Sequence, residues 1–355
     1  MTDFRRILGL AAALVLLAGA AAARPILVGF YLPWDAASRA SVLQHAGALD
    51  VLAPMSGALD SPSGSIRWQA DPARAAAPAG RGKPAKTPKV FPIVSNAHDN
   101  IWDAAAADGA LLDPQAGAAF IGALVDQARA QGYGGYILDF ETLSPSAAAA
   151  YPAFLARLRL ALKPLGRELW VTAGLAADPA LVRQLADATD AVVLMAYDQC
   201  WVNSTPGPIA GQGWLQAALD AKLGAPGADP GHFVVALGAY GYDWPQGRPA
   251  AVISAPDAAQ LARGAGQTVA RELPAANPHF AYAASDGQAH AVWYLDAQAF
   301  KAQRAAVEAR RVRGVAVWRL GLEDPAIWSK AVPPQVTAPP PAAPRPPCVA
   351  LPAAR

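Results

Sequence analysis

Three features of the chain predict an α/β fold, specifically a (β/α)8 TIM barrel with a small α+β insertion between strands 7 and 8. Eight short apolar runs recur along the sequence, segments of helical periodicity separate most of them, and polar or aromatic residues follow nearly every run. Near-continuous apolar runs suit parallel strands buried on both faces. Eight strand–helix units fit a closed barrel better than an open sheet. The chain has 355 residues, 54% of them hydrophobic, which is ample for one large core.

The elements follow in order. "PILVGFYLPW" reads as strand 1 and ends in an aromatic turn, and "SRASVLQHAGAL" has helical spacing. "DVLAPMS" and "KVFPIVSN" read as strands 2 and 3. Residues 60–88 between them are rich in Pro, Gly, Ala and Lys/Arg, and are expected to form a hairpin or a loop of limited order. "AGAAFIGALVDQARAQG" is an amphipathic helix closed by Gly132, followed by "GGYILDFE" as strand 4. A helix from Ser146 leads to "ELWVTAGL", strand 5. "DPALVRQLADAT" then has Asp178 as N-cap and Pro179 at the first helical position. "DAVVLMAYD" is strand 6, "GWLQAALDAKL" a helix, and "HFVVALGAYGYDW" strand 7 as one continuous element. Residues 245–296 form the insertion, with a short helix and a hairpin turning at Asp286–Gly287. "DAQAFKAQRAAVEARRV" and "GVAVWRLG" supply the last helix and strand 8.

The ends read differently. Residues 1–23 carry Arg5, Arg6, an apolar run and an Ala-rich cleavage site, so a cleaved signal peptide is expected rather than an anchor helix. That implies a secreted or periplasmic barrel over 24–330, without stable membrane insertion after cleavage. The tail 331–355 is Pro/Ala-rich and is expected to be disordered or a polyproline II spacer. The sequence permits a disulfide between its two cysteines, Cys200 and Cys348, without requiring one. A formal charge of +2 and the absence of long basic blocks argue against nucleic acid as a partner. No His pair or Cys cluster has metal-ligand spacing and no Gly-rich phosphate loop follows a strand, so neither metal nor cofactor is expected. His279 and His290, in the insertion, read as surface residues, and a monomer is expected.

The candidate chemistry sits on strand 4. Asp139 and Glu141 are two residues apart, and strand alternation points them the same way. Two carboxylates in a partly dry barrel mouth repel, so one titrates at higher pH, as a general acid near neutral pH must. Paired acids among aromatics suggest glycosidic bond cleavage; an ordinary solvated or salt-bridged strand end is the alternative. Trp34 and Asp35 fit either sugar contact or a packing Trp followed by a helix N-cap. Trp201 fits either sugar stacking or packing on its own loop. Gln199, Tyr242 and Asp243 line the expected mouth, and Arg319, Glu323 and Asp324 suit an ion-pair network.

"LDFE", "LMAYDQ", "ALGAYGYDW" and "GVAVWRLGLEDPAIW" on strands 4, 6, 7 and 8 together resemble glycoside hydrolase family 18. The resemblance runs from about Pro25 to Trp328. It is nearest to bacterial barrel domains found fused to polysaccharide deacetylase and glycosyltransferase modules, and to spore-cortex peptidoglycan hydrolases. It implies that Glu141 is the proton donor, that Asp139 orients the substrate acetamide, that Tyr197 hydrogen-bonds the acetamide carbonyl, and that Trp318 floors the scissile sugar. Tyr31 and Trp34, in "FYLPWD", join Gln199, Trp201, Tyr242 and Asp243 as candidate substrate contacts. The implied partner is an N-acetylglucosamine-containing polysaccharide, cleaved with retention by substrate assistance. One departure stands out: the family signature D-x-x-D-x-D-x-E has an acid where this chain has Ile137. A catalytically weak, glycan-binding barrel is therefore the alternative function.

Overall fold

The computed structural model describes residues 24–70, 86–98, 101–224, 227–271, 276–329 and 347–352. The expected signal peptide and most of the expected disordered tail lie outside them. Eight parallel strands form the barrel: β1 Ile26–Tyr31, β2 Val51–Leu59, β3 Ile93–Ser95, β4 Gly135–Asp139, β5 Glu168–Gly174, β6 Ala191–Ala196, β7 Phe233–Gly238 and β8 Gly314–Trp318. Each pairs with its neighbours in sequence, and β8 pairs with β1, so the sheet closes. The helices are α1 Ala36–His45, α2 Ala104–Leu112, α3 Pro114–Gln131, α4 Pro145–Leu162, α5 Pro179–Ala188, α6 Gln212–Leu223, α7 Ala255–Gly264 and α8 Ala297–Glu308.

Strand alternation sorts the core into two layers. Val28, Phe30, Ala53, Ile93, Ile137, Trp170, Val193, Ala236 and Ala316 fill the barrel interior. Leu27, Tyr31, Leu52, Val94, Tyr136, Leu138, Val171 and Leu194 point outward and pack with the helices. The expected caps form: the Asp178 side chain accepts from the backbone N–H groups of Ala180 and Leu181, with Pro179 opening α5. The sequence reading passes over α2. Its run of Ala lacks periodic contrast, and the helix is fixed instead by Asp103, whose carboxylate accepts from Ala106 N.

Strand 7 is not continuous. The chain leaves the barrel after Gly238, and Gly241–Pro245 joins a five-stranded antiparallel sheet with the segments 251–253, 289–294, 278–283 and 270–271. At Gly241 a Cβ would sit 2.5 Å from the Tyr294 Cβ and 2.6 Å from the Trp293 carbonyl, so only glycine permits that pairing. The insertion therefore starts several residues before 245. One face of its sheet packs on the barrel rim through Tyr242, Trp244 and Trp293, and the other is covered by α7. In the loop between strands 2 and 3, Ile66–Trp68 folds back on β2 as the expected hairpin, while residues 71–85 lie outside the described set.

The end of the tail is ordered, against expectation. Cys348 forms a disulfide with Cys200, 148 residues away. Thr205 N donates to the Val349 carbonyl at 2.8 Å, and Leu351 N donates to the Asn203 carbonyl at 2.7 Å. Gly207 makes room for this bond, since a Cβ there would lie 2.3 Å from the Cys200 sulfur. Cross-links that close long loops typically contribute about 2–4 kcal/mol. Cys348→Ser is accordingly expected to lower Tm by roughly 3–6 °C, using about 1.5 °C per kcal/mol for a chain of this size. An unchanged calorimetric Tm would show that the bond does not form in solution.

Candidate active site

The mouth of the barrel is built from loops at the C-terminal ends of the strands. Asp139, the last residue of β4, is 7% exposed. Its carboxyl is pushed up by burial, opposed by a hydrogen bond in which Thr172 Oγ1 donates to Asp139 Oδ1 at 2.6 Å. Glu141 follows in the loop. Burial, then the charge of Asp139, then that of Asp198 raise its carboxyl to about 7. A group with that value keeps its proton on about half of the molecules at pH 7, where an ordinary carboxyl keeps almost none, as suits a general acid.

The position of Glu141 is fixed through its backbone. Its N–H donates to Asn96 Oδ1 at 2.9 Å, and Asn96 Nδ2 donates back to the Glu141 carbonyl at 2.9 Å. Asn96, just past β3, is fully buried and also donates to the Asp103 carbonyl at 3.1 Å. The next residue, Thr142, has φ 56°, and Asp198 has φ 58°. Two non-glycine residues in the left-handed region flank the site, a local cost borne where geometry is demanding.

Tyr197 stacks on Trp318, with ring centroids 5.9 Å apart and planes within 13°. Trp318 in turn meets Phe30 edge-on at 5.6 Å. Burial and the nearby charges of Asp139, Asp198 and Glu141 hold the Tyr197 hydroxyl well above its usual range, so it remains a neutral donor. Asp198 lies open to the mouth on one side. Tyr240 donates to its Oδ1, as does Tyr242 Oη at 3.0 Å. Burial raises the Asp198 carboxyl despite these bonds. Glu141, Asp139, Tyr197 and Trp318 are thus brought together. The sequence marks Asp198 and Asn96 only as rim positions and gives no sign of Thr172, whose contact depends on how β4 and β5 are aligned.

The other candidates divide. Tyr31 is fully buried in the layer between barrel and helices, so it offers no surface to a ligand. Alternation turns Phe30 inward and Tyr31 outward. Trp34 is 53% exposed beside the mouth. Asp35 caps α1 by accepting from Ser38 N at 2.9 Å, and it pairs with Arg319 at 3.0 Å. The expected Arg319–Glu323–Asp324 network is therefore replaced. Glu323 accepts from Ser41, Gly321 N and Trp328 Nε1, while Asp324 accepts from Ala297 N. Gln199 Oε1 accepts from Gly211 N at 2.7 Å, tying down its own loop. Trp201 is half-buried in that loop. Tyr242 is 6% exposed, with its hydroxyl on Asp198. Asp243 is turned into the insertion, where His290 Nδ1 lies 2.8 Å away and Tyr282 Oη donates at 2.8 Å. His290 and His279 are accordingly not free surface residues; the latter stacks on Trp293 at 3.9 Å.

Ile137 is fully buried beneath Asp139 among apolar side chains. Ile137→Asp is expected to cost about 1–3 kcal/mol, measured as a fall in Tm, because a polar group enters an apolar layer. Its added charge is expected to move the basic limb of the pH–rate profile upward. No change in either would mean that residue 137 does not communicate with the acids.

The sequence model of Glycosyl hydrolases family 18 matches residues 84–323. The cortical fragment-lytic enzyme of Bacillus subtilis is 27% identical over 221 residues, 58% of this chain and 50% of that enzyme, so the match spans about half of that relative's length. The crystal structure of the spore cortex-lytic enzyme SleL of Bacillus megaterium superimposes with a TM-score of 0.74 at 20% identity, covering 86% of this chain and 72% of that one. The structure of a chitinase from Chromobacterium violaceum gives a TM-score of 0.76 at 24% identity, covering 86% and 96%. The family match, on a barrel of this fold, places the chain among the glycoside hydrolases. The chain belongs to glycosyl hydrolase family 18.

Proposed function

We propose that the protein cleaves β-linked glycans containing N-acetylglucosamine, with retention of configuration and with the substrate's own acetamide as nucleophile. One observation carries this reading: Glu141, its carboxyl raised to about 7, stands beside Asp139 and Asp198 at a mouth where Tyr197 stacks on Trp318. Protonated Glu141 gives its proton to the glycosidic oxygen as that bond to the anomeric carbon breaks. The acetamide carbonyl oxygen, oriented through Asp139 and Tyr197, forms the new bond to the same carbon. Water then opens the resulting oxazolinium ring, and Glu141, now a carboxylate, accepts the water's proton. No enzyme nucleophile is required, which matches acids that stand together rather than across the sugar.

The expected leader at residues 1–23 and the disulfide both suit a substrate outside the cytoplasm, because such bonds persist in oxidising compartments. The names of the relatives point to spore-cortex peptidoglycan and to chitin. Incubation with chitin, peptidoglycan and poly-N-acetylglucosamine, with product analysis by mass spectrometry and anomer detection by NMR, tests the reading. Release of β-anomeric products from at least one polymer is expected. Binding to all three without products would favour a glycan-binding barrel instead.

A further inference from the structure

The family signature supplies an acid beneath the middle carboxylate, and this chain has none there. Ile137 occupies that place and is sealed among Phe30, Ile93, Trp170 and Val193. Asp139 would then rest on an apolar floor. A buried carboxylate without a fixed partner is both destabilised and free to rotate.

The partner comes from the next strand. Leu138 on β4 is aligned with Val171 on β5, which brings Thr172 level with Asp139. Trp170 points into the barrel, so by alternation Thr172 does too. The Thr172 hydroxyl has one proton. Its oxygen lies 2.6 Å from Asp139 Oδ1 and 3.4 Å from the Leu138 carbonyl, so the proton belongs to the carboxylate.

We infer that Thr172 is the positioning residue that takes the place of the missing inner acid, holding Asp139 in one orientation toward the substrate acetamide. The inference rests on the proposed reading of Asp139 as the acetamide-orienting group. The replacement changes the chemistry. Two stacked acids share a proton and titrate as a pair. A hydroxyl does not ionise at these pH values; the hydrogen bond it donates to Asp139 Oδ1 favours the charged form, against burial, which favours the neutral one. The ionisable groups around Asp139 are Glu141 in the same loop, Tyr151 from α4 and Tyr197 beyond β6, with no cation among the groups acting on its carboxyl. Thr172 is thus the one contact that lowers the Asp139 carboxyl.

Thr172→Val removes the hydroxyl while keeping the β-branched shape that the strand packs. It is expected to lower kcat by about 10–100-fold, as loss of a positioning contact does. KM should change by less than about threefold, and the acidic limb of the pH–rate profile should move to higher pH. Thr172→Ser retains the donor and should stay within about threefold of the parent. In an Asp139→Asn background, Thr172→Val should add little, because the two residues act as one unit. A carbon-13 titration of the Asp139 carboxyl, which needs no substrate, should move upward in Thr172→Val and not in Thr172→Ser. Parental kcat and titration in Thr172→Val, or equal losses in Val and Ser, would overturn the inference. Parental activity in Asp139→Asn would instead overturn the reading of the site itself.

Discussion

Glu141→Gln is expected to lower kcat by about 10²–10⁴-fold, the usual worth of general acid catalysis, with little change in substrate binding. Gln keeps the size and planarity of the side chain but has no proton to give to a leaving oxygen. The backbone clamp from Asn96 acts on main-chain atoms, so the substitution leaves the loop in place. The parent enzyme should lose activity as pH rises through about 7, where Glu141 ionises. That limb should vanish from whatever activity remains in the variant. The contribution of Glu141 to stability should fall in the same direction with pH. Glu141 has a carboxyl raised from 4.5 to about 7 in the folded state, so folding holds its proton more tightly than the unfolded chain does. Its contribution is full below pH 4.5 and is lost as pH rises toward 7. The Tm of Glu141→Gln relative to the parent should therefore be higher at pH 8 than at pH 4. A variant within tenfold of parental kcat would remove Glu141 from the role of acid.

De-N-acetylation of the polymer should abolish cleavage at glucosamine units while leaving binding measurable. If the acetamide oxygen is the nucleophile, its removal deletes a reactant rather than weakening a contact. Held at the anomeric carbon, such an internal nucleophile has an effective molarity that no bulk water can match. Neither Asp139 nor Asp198 is placed to compensate in the proposed scheme: the first is bound to Thr172 and the second to two tyrosine hydroxyls. A cyclic thiazoline resembling the oxazolinium should inhibit more tightly than product, because it mimics a species close to the transition state. Equal turnover of acetylated and deacetylated polymers would exclude substrate assistance.

The barrel is legible in the sequence because parallel strands are buried on both faces and therefore appear as uninterrupted apolar runs. Asp139 is legible because alternation along β4 fixes its side, whereas Glu141 lies past the strand end and is set by the Asn96 bonds to its backbone. What escapes is whatever depends on a second segment. The turn-off at Gly241 is dictated by the approach of Tyr294, and nothing local in "GAYGYDW" announces it. Thr172 is one threonine in an ordinary strand until its alignment with β4 is known. Asp198 stands visibly at a strand end, but its left-handed backbone and its Tyr240 and Tyr242 partners have no local signal. The partner of Cys200 lies 148 residues away across a Pro-rich stretch, where spacing carries no information about pairing.

The two anchored stretches of chain emerge on opposite sides of the barrel. Residue 24 enters β1 from the floor, where Arg24 pairs with Asp50 at 2.8 Å, while residues 347–352 are fastened by Cys348 to the loop that carries Tyr197 and Trp201. For display on a bead or a sensor chip, the two routes of attachment are not equivalent. Coupling through residue 24 leaves the rim that carries Glu141 facing outward. Coupling at residue 352 sets the linker beside that rim, where it narrows the approach from outside.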